Sequence, residues 1–177
     1  MNIARELITP STDTLKKWYE VDGIVHATIT TSGILSTYTP PKSHHIEDGA
    51  REMLRSTEYH ITREISNIAI VNIHMFNNMN LHATIRKQAV IDKMLAEGYG
   101  IPNADIAIKM FTTWTMKDFE EMNFSTIDFM HPLIENGWFA ITAHGGRYML
   151  ESHVNFCGTS KPYPPPVPQR GLVFVDK

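Results

Sequence analysis

The sequence predicts an α+β fold: a mostly antiparallel sheet with helices packed on one face, and an extended Pro-rich C-terminal arm. Three observations carry this. Segments 23–30 and 138–156 alternate apolar and polar residues beside short glycine turns, as half-buried antiparallel hairpins do. Segments 44–65 and 82–97 repeat apolar residues at helical spacing. Strands and helices mix without a strict strand–helix–strand repeat, which sets aside a parallel doubly wound sheet.

The chain has 177 residues, 42% of them hydrophobic, and a formal net charge of −3. That length suits one domain and buries roughly 70% of the unfolded chain's surface. The expected division is a single α+β domain over 1–160, followed by a Pro-rich arm and terminal strand over 161–177. No apolar run is long enough for a membrane span. Residues 1–10 lack the apolar core of a signal peptide, so the expected location is cytoplasmic. The single cysteine, Cys157, excludes a disulfide framework and any multi-cysteine zinc site. The mildly acidic balance gives no broad electrostatic footprint for DNA.

In chain order, a short helix is expected over 11–20, capped by Ser11, with Asp13 at its positive end and Leu15 and Trp18 inward. A strand over 23–30 puts Val25, Ala27 and Ile29 on one face and Ile24, His26, Thr28 and Thr30 on the other. A three-residue loop, Thr31, Ser32 and Gly33, returns the chain as a partner strand over 34–39, which Pro40 and Pro41 end. Ser43 caps a helix over 44–65 whose inward positions are Ile46, Ala50, Leu54, Thr57 and Ile61. The apolar, β-branched run at 68–76 reads as a strand. A helix follows over 82–97, with Ile85, Ala89, Ile91 or Met94, and Leu95 inward and Gly98 as its stop. Segment 104–114 reads as a strand and 116–122 as a short helix. The last hairpin spans 138–156 and turns on Gly145 and Gly146, which supply positive φ at both turn positions. A final short strand covers 172–175.

The last hairpin gives the most useful inference. Its turn sets His144 opposite Arg147, Thr142 opposite Met149, Ala140 opposite Glu151 and Trp138 opposite His153, all on one face. Phe139, Ile141, Ala143, Tyr148, Leu150, Val154 and Phe156 form the other, plainly the core. His26 and Thr28 repeat this pattern in the first hairpin, and His74 and Asn72 share a face of the strand at 68–76. An open sheet face shows the same alternation without any function, but such faces favour lysine, glutamate and threonine over histidine. If the strands share one sheet, His26, His74 and His144 converge on one open surface. Histidine titrates near neutrality and serves as acid, base or metal ligand.

The tripeptide HisAlaThr occurs at 26–28 and again at 82–84. It resembles the His-x-Thr pair of the two-histidine phosphoesterases. The resemblance implies metal-free opening of phosphodiesters, with histidines exchanging protons and threonine hydroxyls holding phosphate oxygens. The copy at 82–84 opens a helix, where His82 and Thr84 point apart, and it sits closer to the first copy than that family's spacing. The better partner for His26 is Thr142 with His144, the same pair in reverse order on a strand. Arg147 beside it supplies an anion clamp.

Other chemistries have less support. His44, His45 and Asp48 offer an i, i+4 ligand spacing if 44–65 is helical, but they also make an ordinary acidic helix start. No metal or other cofactor is assigned. Cys157 is a lone cysteine, and the chain contains no nucleophile elbow, P-loop or dinucleotide fingerprint. Methionine and aromatic residues at 110–122 read as core.

The expected function is that of a small intracellular phosphodiesterase-like protein cleaving a nucleotide or cyclic nucleotide. His26 and His144 are the catalytic candidates. Thr28, Thr142, Arg147, His74 and Glu151 are the substrate-binding candidates. The alternative is a non-enzymatic binding or assembly subunit, with the proline run at 162–168 as a stiff arm and a homo-oligomer formed through residues 161–177.

Overall fold

The computed structural model describes residues 18–29, 44–56, 66–73, 83–102, 104–130, 137–154 and 169–176. The elements are β1 (Trp18–Val21), β2 (Ile24–Ile29), β3 (His44–Ile46), α1 (Asp48–Ser56), β4 (Ser66–Asn72) and α2 (Ala83–Ala96). They continue with α3 (Ala104–Thr113), α4 (Met116–Glu121), β5 (Phe124–Met130), β6 (Gly137–His144), β7 (Arg147–Val154) and β8 (Gln169–Val175). All eight strands form one sheet in the order β1-β2-β4-β8-β5-β6-β7-β3. Its pairings are antiparallel except β5 with β8 and β3 with β7. The α+β class and the mostly antiparallel sheet therefore stand. The proline run at 162–168 lies outside the described residues.

The helices do not share one face. Ile68 and Ile70 of β4 and Val173 of β8 join Ile106, Phe111 and Phe119 in one core, on the side of α1, α3 and α4. Their strand neighbours Ala69, Val71, Leu172 and Phe174 point the other way and join Val90, Ile91 and Met94 of α2. Alternation along a strand makes these opposite faces. The continuous apolar run of β4 is the mark of a strand covered on both sides.

Several local expectations change. Residues 18–21 are a strand rather than the end of a helix, and 11–17 lie outside the described residues. The reason is Asp22 with Gly23, at φ 51° and 77°, which folds β1 back onto β2 as a two-residue hairpin turn. The neighbours of β2 are β1 and β4, not a strand at 34–39, which is itself outside the described residues. The helix expected from 44 begins at Asp48, and 57–65 are not described. His44–Ile46 instead pairs parallel to β7, and Glu47 anchors the corner: its N–H donates to the Leu150 carbonyl at 2.9 Å, and its carboxylate accepts from the Ser152 N–H at 3.0 Å. Segment 104–114 is a helix, α3, not a strand. The whole run from Ile106 to Phe111 is buried, so it shows no amphipathic period.

Strand β5 has no counterpart in the sequence expectations. A register shift between Phe124 and Thr126 breaks its alternation: Phe124, Ile127 and Phe129 enter the larger core, while Thr126, Asp128 and Met130 fall on the α2 side. In α2 the inward stripe is Lys87, Val90, Ile91 and Met94, whereas Ala89 and Leu95 are exposed. Gly98, at φ 96°, ends it. The Gly98 N–H donates to the Leu95 carbonyl and the Tyr99 N–H to the Met94 carbonyl, a Schellman closure. Helix α4 starts with a capping box between Thr115 and Asp118. The β6–β7 hairpin has the expected register in full, with Gly145 and Gly146 at φ 60° and 76°.

Candidate functional site

The α2 side of β8, β5, β6 and β7 presents two cross-strand rows. One runs Arg170–Thr126–Thr142–Met149, the next Leu172–Asp128–Ala140–Glu151. Arg170 reaches diagonally to Asp128 and grips it with two parallel bonds, Nε to Oδ2 at 2.5 Å and Nη2 to Oδ1 at 2.8 Å. Asp128 is fully buried, while the Arg170 side chain keeps a quarter of its surface open. This asymmetry defines the site: a cationic side chain held by a buried acid and itself partly exposed. Gly171 helps to seat it. On the opposite face, a Cβ there would lie 2.7 Å from Ile70 Cγ2 and 3.1 Å from Phe124 Cε1, so only glycine lets those side chains close under the strand.

Beside Arg170, Thr126 and Thr142 are half-buried, and the Thr142 hydroxyl bonds the Glu151 carboxylate at 2.7 Å. Lys87 enters from α2. Its side chain is almost wholly buried, at 2% exposure, and Nζ lies 3.1 Å from the centre of the Trp138 ring. Burial pushes the amine down to about 7, with Arg170 pushing the same way and Asp128 opposing. A cationic ammonium over an indole face is favourable, and its withdrawal from water is what offsets it.

The sequence-derived candidates fall into two groups. Thr142, His144, Arg147 and Glu151 lie on the β6–β7 hairpin, with Arg147 exposed and His144 at the register position opposite it. His26 and Thr28 lie on β2, four strand positions away in the sheet order. At about 4.8 Å per strand, that is roughly 19 Å of lateral separation. The structure therefore does not bring His26 together with His144. His26 stacks on Tyr19, with ring centres 5.3 Å apart, and the Thr28 hydroxyl bonds Asn67 Oδ1 at 2.9 Å. His74 lies outside the described residues.

Sequence reasoning missed Lys87, Asp128, Arg170 and Thr126. Two signals were there to find. Lys87 interrupts the apolar stripe 87–90–91–94, and Asp128 is a lone acid within IleAspPheMet.

His44 lies on β3 and packs on Tyr148 and Phe111, with ring centres at 4.5 and 5.6 Å; burial lowers its pKa. It thus shares no helix with Asp48. Among the described residues, no three His, Cys, Asp or Glu side chains are grouped to hold a metal ion.

No protein-family model, curated protein or solved structure matches the chain.

Proposed function

We propose that the protein binds a phosphate-bearing ligand of the nucleotide class along the row Arg170–Thr126–Thr142 and cleaves a phosphodiester bond there by metal-free acid–base chemistry. One observation supports the binding half: the buried Asp128 carboxylate fixes Arg170, whose side chain keeps a quarter of its surface open, in the row with Thr126 and Thr142. Arg170 is held in place before the ligand arrives and loses little entropy on binding, while the Thr142 hydroxyl would exchange its bond to Glu151 for one to the phosphate. The cleavage half draws on the pairing of Thr142 with His144 two residues on, and on Arg147 opposite. In this reading a neutral His144 imidazole takes a proton from attacking water as the new P–O bond forms. The bond to the leaving oxygen breaks, and the imidazolium returns the proton to that oxygen. His26 and Thr28, four strands off, take no part.

The test is product detection by mass spectrometry. The protein is incubated in EDTA with cyclic dinucleotides, 2′,3′-cyclic nucleotides and short RNAs. Cleavage is expected from the wild type, reduced at least a hundredfold in His144→Ala, in keeping with the usual worth of a general acid–base group. Absence of both cleavage and binding across the panel overturns the reading.

The alternative of an assembly subunit has one observation in its favour: edge strand β1 exposes Tyr19 and Val21 at 63% and 49%. A concentration-dependent solution mass without nucleotide binding would decide for it.

A further inference from the structure

We propose that Glu151 reads a hydroxyl beside the phosphate of the ligand, so that the site takes ribonucleotides in preference to deoxyribonucleotides. The inference rests on the reading of the Arg170–Thr126–Thr142 row as a phosphate site, and it names the sugar that goes with that phosphate. Three structural facts carry it. The Glu151 carboxylate reaches from β7 to β6, where the Thr142 hydroxyl donates to Oε2 at 2.7 Å. Both side chains are half-buried, and among the described residues no lysine or arginine pairs with Glu151. The register sets Glu151 diagonal to Thr142, at the β7 end of the phosphate row, while Asp128 stands two strands away and is held by Arg170.

The chemistry turns on one proton. A threonine hydroxyl has a single hydrogen to donate, and an ionised carboxylate only accepts. A phosphate oxygen that takes the Thr142 hydrogen therefore takes it from Glu151. Two anionic oxygens that compete for one hydroxyl stand no more than about 5.5 Å apart. The half-buried carboxylate is then left without its donor and with a like charge beside it, and both effects oppose binding. A ligand that brings a hydroxyl of its own into that gap restores the donor and sets its positive end between the two anions. Such a hydroxyl must stand close to the phosphate. In a ribose 3′-phosphodiester the 2′-hydroxyl does so, on the neighbouring carbon. Deoxyribose lacks it, and a 2′,3′-cyclic phosphate has used it.

The probes are cyclic di-AMP, whose 2′-hydroxyls adjoin 3′-phosphodiesters, and its 2′-fluoro analogue, which keeps the ribose pucker but cannot donate. Binding is measured by calorimetry in the His144→Ala protein, so that cleavage does not intervene, with Glu151 intact and replaced. With Glu151 intact, cyclic di-AMP should bind about tenfold tighter or more, the usual worth of a hydrogen bond to a charged group. Glu151→Gln removes the charge and keeps the shape. The 2′-fluoro analogue should then bind severalfold tighter than before, and the preference for the hydroxyl should fall to about threefold or less. A residue that only supports the hairpin would weaken both ligands alike. Equal affinity for the two probes with Glu151 intact, or a preference that Glu151→Gln leaves unchanged, overturns this inference alone. Failure of both probes to bind overturns the phosphate-site reading and this inference with it.

Discussion

The two faces of the sheet are built from the same strands but finished differently. On one side, α1, α3 and α4 cover an aromatic core in which Tyr148 stacks on Phe111, centres 5.1 Å apart, and meets Phe119 edge-on at 5.7 Å. On the other side, α2 covers a smaller apolar cluster, and the rest of the face is left to Arg170, Thr126, Asp128, Thr142 and Glu151. Among the described residues three helices lie on the first face and one on the second, where the polar groups beside the apolar cluster bond one another, as Arg170 does Asp128 and Thr142 does Glu151. The first face should therefore respond to mutation as packing, the second as electrostatics.

The largest expected effect tests the packed face. Phe111→Ala should lower unfolding stability by about 3–5 kcal/mol in urea, with no dependence on pH between 7 and 9. Anion affinity should be unchanged where the variant is folded. A change in affinity would mean the faces are coupled through the sheet. Next, Asp128→Asn should cost about 2–3 kcal/mol, because it leaves the Arg170 charge half-satisfied; the value is reduced from a fully buried case because Arg170 is partly open. An unchanged urea midpoint would show that the pair orients Arg170 without stabilising the fold.

Third, Lys87→Met should stabilise the protein by about 1–3 kcal/mol at pH 6. The sign follows from linkage. The unfolded lysine titrates near its ordinary value of about 10.4, and the folded one at about 7. The unfolded state binds the extra proton in between, so wild-type stability relative to Lys87→Met should climb through that window as pH rises. Urea titrations of both proteins at pH 6, 7.5 and 9 measure it, and a constant difference would refute the buried, titrating amine. The smallest effect lies at the start of a helix that covers the packed face. Thr115→Ala removes the capping box of α4 and should cost about 1 kcal/mol, read as a shift in thermal midpoint.

What the sequence revealed depended on how far each signal was local. The β6–β7 register was readable because a two-residue glycine turn and the alternation that fixes it lie within 18 residues. The equally local Asp22–Gly23 turn has the same chemistry, but the Ser11 and Asp13 helix-start signals upstream point to a helix over 11–20. The α3 segment reads as a strand because burial on all sides erases the 3.6-residue period that distinguishes the two. For the site the limit was different. Thr142, Arg147 and Glu151 follow from hairpin alternation alone. Their meeting with Arg170 depends on β8 lying parallel beside β5, where Thr126 pairs with Arg170 across 44 residues, a pairing that no local pattern encodes.

That central position of β8 also sets the order of events during synthesis. Of the eight strands, β8 leaves the ribosome last, yet it separates β1-β2-β4 from β5-β6-β7-β3. Until it arrives, β4 and β5 each present an open, apolar edge, the kind of surface that pairs with whatever strand is nearest. A chain that stops before β8 therefore lacks the strand that joins the two halves into one sheet.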